Sequence, residues 1–553
     1  MNASVKKADW PKIIFIIFVA AYALTMIIGA SLGPVDDVVL LRTLQAGRPI
    51  LYYAHGGGPY GYGDVTTFGR FTVMGIMEYN FFSFFSKSPS AFWYFAFHAF
   101  QYVLLMAILV VFISRFTSKK ILIYGIPIVL SLFPSMTITF FRTHIMERNV
   151  IFYYLVFLYF YFLYVDKKKL WYLIFGVISA TIAIHYKETA FIALGAFCFF
   201  HLILSWKESK RGLKIFDGLV LLSCLVYILL YYFIVVLHLP ANAIIYGQVP
   251  YNPVLVLIKL LLNYGLFTDP IMILIVLPFT AWRVIQFFRK KIELHPVYDS
   301  MLLAACSYTL GYLALKMFSP SYLLPAYAFA IPPLIYFFSQ KEARTIFWKV
   351  VAGIAGIALV FNVFPTGIHY ITYFKYLSVN FNKTLDFLIE DINTKYPDKR
   401  ANIFIDGVNQ NINIGDAVYF IFEEFLQYKG LSWTRFDFKS SVETENKASD
   451  FISKLPFSVF QKNKASEISK GDYLLITPDS TTKNINKDYI DSLKKDYDLV
   501  FQTKSPLAFP NINLKTLAKY ILSSRLTQKQ KEEGLMVNEN LIESPNYYVF
   551  IKR

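Results

Sequence analysis

Two adjacent carboxylates, Asp36 and Asp37, follow directly on an apolar run in the sequence Gly33-Pro34-Val35-Asp36-Asp37. Like charges this close push their pKa values apart, so one can serve as general base while the other orients it or holds a metal. A helix cap or a solvated loop start is the plainer use of the same residues. Farther on, Arg142-Thr143-His144-Ile145-Met146-Glu147-Arg148-Asn149 packs two guanidiniums and a carboxylate into eight residues. Guanidiniums grip phosphate with two parallel hydrogen bonds, although a local salt-bridge cluster has the same composition. His185-Tyr186-Lys187-Glu188 again sets a cation beside a carboxylate, and Lys316 precedes Ser319-Pro320-Ser321-Tyr322-Leu323-Leu324-Pro325. Arg70 stands among aromatics, where it can approach a lipid phosphate or snorkel. His55-Gly56-Gly57-Gly58-Pro59 and Tyr60-Gly61-Tyr62-Gly63-Asp64 are glycine-rich without the Lys-Ser/Thr of a phosphate loop, which argues against nucleotide binding.

The elements that carry these residues are apolar. Of 553 residues, 56% are hydrophobic and only 16% charged, where soluble domains carry about a quarter charged residues. Runs long enough to span hydrocarbon fall near 13–33, 92–113, 121–140, 150–165, 170–185, 189–205, 216–238, 256–281, 299–316, 323–339 and 350–368. The first is too long for a signal peptide and is read as a span. Basic residues cluster in alternate loops: Lys6, Lys7 and Lys12; Arg115, Lys119 and Lys120; Lys167, Lys168 and Lys169; Lys207, Lys210, Arg211 and Lys214; Arg283, Arg289, Lys290 and Lys291; Lys341, Arg344 and Lys349. Lys and Arg resist translocation, so these loops and the N-terminus are expected in the cytoplasm. Eleven spans then place the C-terminus outside. The acid–base turns fall on the outer face, where ionisable groups beside lipid are costly and functional by default. The formal charge of +17 sits mostly in the cytoplasmic loops, which excludes a nucleic-acid-binding tail. Cys198, Cys224 and Cys306 each lie in apolar runs and read as buried thiols, not as disulfides or a zinc site.

Beyond residue 368 the chain becomes rich in Asn, Lys and Asp, with apolar runs of five to seven residues. Strand-like runs at 401–405, 472–477, 497–502 and 546–551 alternate with helical patterns near 376–395, 415–428, 485–495 and 513–524. That order predicts an extracytoplasmic α/β domain over 369–553, following a transmembrane domain over 1–368 whose first external loop is 34–90.

An acidic pair after the first span, an acidic and basic turn after the third, a lysine turn after the fifth, a late Tyr-Leu-Leu-Pro and an external C-terminal domain together resemble the GT-C superfamily of polyprenyl-phosphate-sugar-dependent glycosyltransferases. Protein O-mannosyltransferases and lipid A aminoarabinose transferases look nearest. The resemblance implies a GT-C-like fold. It also implies that Asp36 corresponds to the family's proposed catalytic base and that the Ile184-His185-Tyr186-Lys187-Glu188-Thr189 turn helps to hold the donor phosphate. Ser321 stands where the family segment usually reads Arg, so Lys316, Arg142 or Arg148 must supply that charge.

The implied reaction transfers a sugar from undecaprenyl phosphate to an acceptor in the cell envelope: lipid A, an O-antigen repeat, a wall polymer or a protein hydroxyl. A bacterial inner-membrane location follows from the same resemblance. Asp36, Asp37 and Glu147 are expected at the catalytic centre, and Arg142, Arg148, Lys187, Lys316 and Arg70 at the donor phosphate. His185, Glu188 and Tyr322 are expected at the substrates. Asp36, Asp37 and Glu147 could ligate Mg2+ or Mn2+ through hard oxygens, while no essential metal is expected; His55, His144 and His185 are too scattered for zinc. Expected partners are the lipid-linked sugar, the acceptor and membrane lipid, with no nucleic acid. A polyprenyl-lipid flippase or an O-antigen polymerase or ligase is the competing reading. The former would often show two matching halves, and no internal repeat is visible.

Overall fold

The architecture comes from a computed structural model of the chain. It describes residues 9–34, 37, 41, 71–75, 77–83, 90–143, 145–238, 253–340, 345–405, 421–439, 466–478, 487–514, 516–517, 521 and 546–553. Asp36, Arg70, His55 and His144 lie outside the described residues, as does most of the first external loop. The chain divides into two compact units. One comprises Met1–Ile28, Gly47–Ser86 and Trp93–Gly367; the other comprises Gly29–Ala46, Lys87–Phe92 and Ile368–Arg553.

The first unit is helical. Among the described residues, six helical stretches are individually long and apolar enough to cross a membrane: Trp10–Ile27, Ala91–Ile113, Glu147–Lys167, Arg211–Ile234, Ile271–Phe288 and Ile346–Lys395, the last of which continues into the second unit. The chain is a multi-pass membrane protein. The expected runs 170–185, 189–205 and 323–339 are shorter helices, Leu170–Tyr186, Ala190–Ser205 and Ala326–Ser339, and 299–316 falls on Pro296–Ala314. The expected span 121–140 is a pair, Lys120–Ser131 and Pro134–Phe141, bent by 64°. Pro134 causes the bend, because its ring excludes the helical region for Phe133, which lies extended at φ −73° and ψ 141°.

The expected single span 256–281 is corrected. The helix Pro253–Leu262 widens into a π-helix over Asn263–Thr268, stops at Asp269-Pro270 and resumes as a second π-helix, Ile271–Val276, that runs into Leu277–Phe288. Pro270 has no N–H to continue the ladder. Arg283 also departs from expectation: it is not a solvated loop cation but lies buried, with its Nη2 donating to Asp299 Oδ2 at 2.8 Å. Ionisable groups are also buried away from the acid–base turns: Asp217 is fully buried between His201 and Tyr161, at 2.7 and 3.1 Å.

In the second unit, five strands form a mixed sheet in the order β2-β1-β3-β5-β4: β1 Ala401–Ile405, β2 Phe436–Lys439, β3 Tyr473–Ile476, β4 Tyr497–Gln502 and β5 Tyr548–Lys552. β1 runs parallel to β2 and β3, with Ile403 opposite Tyr473, while β5 is antiparallel to β3 and β4, with Leu474 opposite Phe550. Phe404, Leu474, Ile476, Ile490 and Phe550 bury one face. β2 was not expected from the sequence. Its alternation Phe436-Asp437-Phe438 is too short to stand out. Residues 421–428 and Lys487–Leu493 are helical, and the pattern near 376–395 is the end of one long helix, Phe364–Lys395.

Candidate active site

The helix Glu147–Lys167 starts with Glu147, Arg148 and Asn149, all buried, so three polar side chains are turned inward where a helix usually meets water. Burial of an unpaired charge is costly, and each of the three has a partner. Arg148 pairs with Glu78 and also contacts His98 Nε2, and its Nη1 donates to the Tyr79 hydroxyl at 3.3 Å. Asn149 donates to Glu78 at 3.0 Å and accepts from Gln101 at 2.8 Å.

His98 joins the same cluster. Its Nδ1 lies 3.0 Å from the Phe140 carbonyl, and its Nε2 faces both the Arg148 guanidinium and the Tyr79 hydroxyl, the latter at 2.7 Å. Tyr79 donates its hydroxyl proton to the Thr143 carbonyl, which ties this cluster to the turn after Pro134–Phe141.

Lys187 caps the helix Leu170–Tyr186 with extended backbone, φ −151° and ψ 132°, and its carbonyl accepts from Ala190 N at 2.9 Å, which opens the next helix. The side chain is buried and ion-paired with Glu147, and its Nζ lies 4.4 Å from the centre of the Tyr322 ring. Tyr322 stacks on Tyr312 at 4.7 Å, and the Tyr312 hydroxyl is 2.8 Å from Thr189 Oγ1. Glu147, Lys187 and Tyr322 therefore meet, although they follow three different apolar runs. His185 is nearby on the last turn of its helix. Its Nδ1 donates to Thr181 O at 2.8 Å, and its own carbonyl accepts from Met74 N at 3.0 Å, fastening residues 71–75 to this helix end.

The other expected site residues are placed as follows. Asp37 belongs to the second unit and is buried, its Oδ2 accepting from Gly33 N at 2.6 Å. Arg142 is half-buried directly after Pro134–Phe141, and Glu188 is half-buried beside Lys187. Lys316 is half-buried with left-handed backbone, φ +54°, as the helix Pro296–Ala314 ends. Ser321 is fully buried, its hydroxyl 3.0 Å from Ser319 Oγ.

Arg148 is corrected in one respect. Its guanidinium is 1% exposed and already engaged by Glu78, Tyr79 and His98, so it supports the site and does not offer an open fork to a phosphate. The reading of the sequence passed over Glu78, His98 and Gln101. Polar residues three apart, His98 and Gln101, inside a run as apolar as 92–113 were the available signal. It also passed over Asp269, the acid followed by proline. Asp269 is fully buried beside Thr268, Ser135 and Tyr327, and neither of its carboxylate oxygens has a hydrogen-bond partner among the described residues. Among the described residues, no group of three or more His, Cys, Asp or Glu side chains converges in a way that could hold a metal ion.

No family model matches this sequence, and no curated protein matches it. Among solved structures it is similar to the Archaeoglobus fulgidus oligosaccharyltransferase tethered with an acceptor peptide containing the NVT sequon through a disulfide bond. The identity is 11%, over 97% of this chain and 88% of that one, with a TM-score of 0.39.

Proposed function

We propose that this chain is an integral membrane glycosyltransferase that moves a sugar from a polyprenyl-phosphate donor, undecaprenyl phosphate in bacteria, to an acceptor hydroxyl in the cell envelope. The observation that supports the reading is the meeting of Glu147, Lys187 and Tyr322, a carboxylate-steadied cation against an aromatic face, built from turns far apart in the chain. A cation can stabilise the charge that grows on a leaving phosphate, and an aromatic ring can stack on a sugar.

In this reading Asp36 accepts the proton of the attacking hydroxyl, and the sugar's anomeric centre inverts as the lipid phosphate departs on the opposite face. General base catalysis of this kind contributes about 10² to 10⁴ in rate. Lys187 and Arg142 take the phosphate, with Lys316 and Arg70 as further cations, while Arg148 positions the Glu147 turn. Asp37 steadies the base, and His185, Glu188 and Tyr322 face the sugar and acceptor. The site then lies at the outer leaflet of the inner membrane, with the N-terminus cytoplasmic and residues 369–553 outside.

One observation favours a second reading, a transporter of polyprenyl lipids. A helix broken at Asp269-Pro270, with a buried carboxylate at the break, is how transporters build sites at membrane depth. The deciding experiment offers radiolabelled undecaprenyl-phosphate sugars and membrane extract to purified wild type, Asp36→Asn and Lys187→Ala, with and without EDTA. Transfer lost in both folded variants supports the enzyme, and the EDTA arm reports on a metal. Equal donor binding by all three proteins sinks the site, and lipid translocation in vesicles without transfer selects the transporter.

A further inference from the structure

Residues 507–521 of the second unit invert the usual order of a protein surface. Leu507 is 73% exposed, Phe509 55% and Ile521 54%, and Ile512, Leu514 and Leu517 are exposed with them, whereas the polar Asn511, Asn513 and Thr516 are buried. The buried three satisfy one another. Thr516 N donates to Asn513 Oδ1 at 2.8 Å, Asn513 N to Thr516 Oγ1 at 2.9 Å, Thr516 Oγ1 to Asn511 O at 2.7 Å, and Asn513 Nδ2 to Asn511 Oδ1 at 2.8 Å. Reciprocal bonds of this kind cap the start of a helix. They hold the backbone so that the apolar side chains point outward. Exposed apolar side chains gathered along one segment mark a contact with another apolar phase or partner.

The hydrogen bonds of the same segment indicate which phase. The Phe509 carbonyl accepts from His369 Nδ1 at 2.6 Å, Phe509 N donates to Thr372 Oγ1 at 3.0 Å, and Leu507 N donates to the Tyr376 hydroxyl at 3.2 Å. His369, Thr372 and Tyr376 lie on one face of the helical stretch Ile346–Lys395, just past its most apolar part. There the sequence reads His369-Tyr370-Ile371-Thr372-Tyr373-Phe374-Lys375-Tyr376, the mixture of aromatic rings and a first lysine that marks a helix leaving the bilayer. The segment bearing the exposed apolar side chains is therefore hydrogen-bonded to this part of the helix.

Charge agrees with that placement. Between Phe501 and Lys531 the sequence has six cations, Lys504, Lys515, Lys519, Arg525, Lys529 and Lys531, and no Asp or Glu. Apolar residues at 514, 517 and 521, with lysines at 515 and 519, are spaced as on an amphipathic helix lying in a membrane surface.

We propose that the exposed apolar side chains of Leu507, Phe509, Ile512, Leu514, Leu517 and Ile521 form a monotopic anchor in the headgroup region of the same membrane that the helical unit crosses, favouring anionic lipid. The anchor keeps the sheet-bearing unit at the bilayer surface. It depends on the chain being a membrane protein and not on the reaction proposed above.

The test uses the full chain in lipid nanodiscs, with Cys198, Cys224 and Cys306 replaced and one nitroxide introduced at a time through Phe509→Cys, Leu517→Cys or Ile521→Cys. Trp433→Cys, on an exposed residue of the same unit away from this segment, is the aqueous reference. Folding of each variant is checked by its melting profile. The expected result is relaxation dominated by oxygen at 509, 517 and 521 and by a water-soluble nickel complex at 433. Adding phosphatidylglycerol to phosphatidylcholine should deepen the three labels several-fold by the oxygen-to-nickel ratio, and Lys515→Glu with Lys519→Glu should remove that deepening. Nickel access at the three sites equal to that at 433 overturns the anchor. Exclusion of both reagents also overturns it, because that result means another protein surface covers the segment.

Discussion

The Lys187 ammonium lies 4.4 Å from the centre of the Tyr322 ring while it pairs with Glu147 at the start of another helix. One cation thus joins three turns, through a carboxylate on one side and an aromatic face on the other. Breaking a buried pair by removing one partner costs about 3–5 kcal/mol, because the other charge is left uncompensated. Lys187→Met and Glu147→Gln should each lower the melting temperature in detergent. Lys187→Met with Glu147→Leu should recover part of the loss. A double variant as unstable as the sum of the two singles contradicts a direct pair.

Arg148 reaches Glu78, Tyr79 and His98 at once, which needs a planar fork. Arg148→Lys therefore removes contacts without removing charge, and a loss of about 2–4 kcal/mol is expected from the groups it strands. Denaturation of the solubilised protein checks this, and an Arg148→Lys variant as stable as wild type would show that charge alone is enough there.

Gly367 separates two helices at a point of contact. A Cβ at this position falls within van der Waals radius of the Leu132 carbonyl oxygen, a backbone atom that cannot rotate away, whereas one at Gly353 meets nothing. Gly367→Ala should reduce the yield of folded protein severely, and Gly353→Ala should be neutral. Equal yields of the two variants would mean that these helices are not packed as described.

The Tyr473 hydroxyl donates to Asp391 Oδ2 at 2.7 Å, and burial together with that carboxylate holds its pKa far above the ordinary tyrosine value. For an acid whose folded pKa is raised, the folded state binds its proton more tightly than the unfolded state does. Stability is then complete below the unfolded value of about 10 and declines as pH rises beyond it. The sheet-bearing unit should therefore lose stability in strong alkali, and Tyr473→Phe should flatten that dependence while lowering stability at neutral pH by about 1 kcal/mol. Circular dichroism melts across the alkaline range measure both, and an unchanged slope in Tyr473→Phe counts against the assignment.

Asp269 is a buried carboxylate whose neighbours are hydroxyls, with no cation among its described contacts. An amide of the same shape avoids the cost of burying charge, so Asp269→Asn should melt at or above the wild-type temperature. If the transporter reading holds, the same variant loses lipid translocation while keeping its fold. A clear drop in melting temperature would instead make Asp269 a structural anion.

The sequence by itself determined that this is a multi-pass helical membrane chain with a strand-bearing C-terminal region, because apolar runs of spanning length and short alternating strands are local patterns. Four of the five strands, β1, β3, β4 and β5, were legible for that reason, and β2 was too short to read. Proline at 134 and 270 signals local breaks, yet whether a run such as 256–281 stays whole depends on what its freed backbone and Asp269 meet in the interior, which spacing does not encode. Tertiary structure alone decided that Lys187 meets Glu147 and Tyr322, that Arg148 is enclosed by Glu78 and His98, and that Arg283 is buried on Asp299. Charge type is written in the sequence, but whether a charge is buried and paired is a property of contacts between distant segments. The same holds for residues 507–521, whose apolar side chains are ordinary in sequence and become informative only once the fold turns them outward.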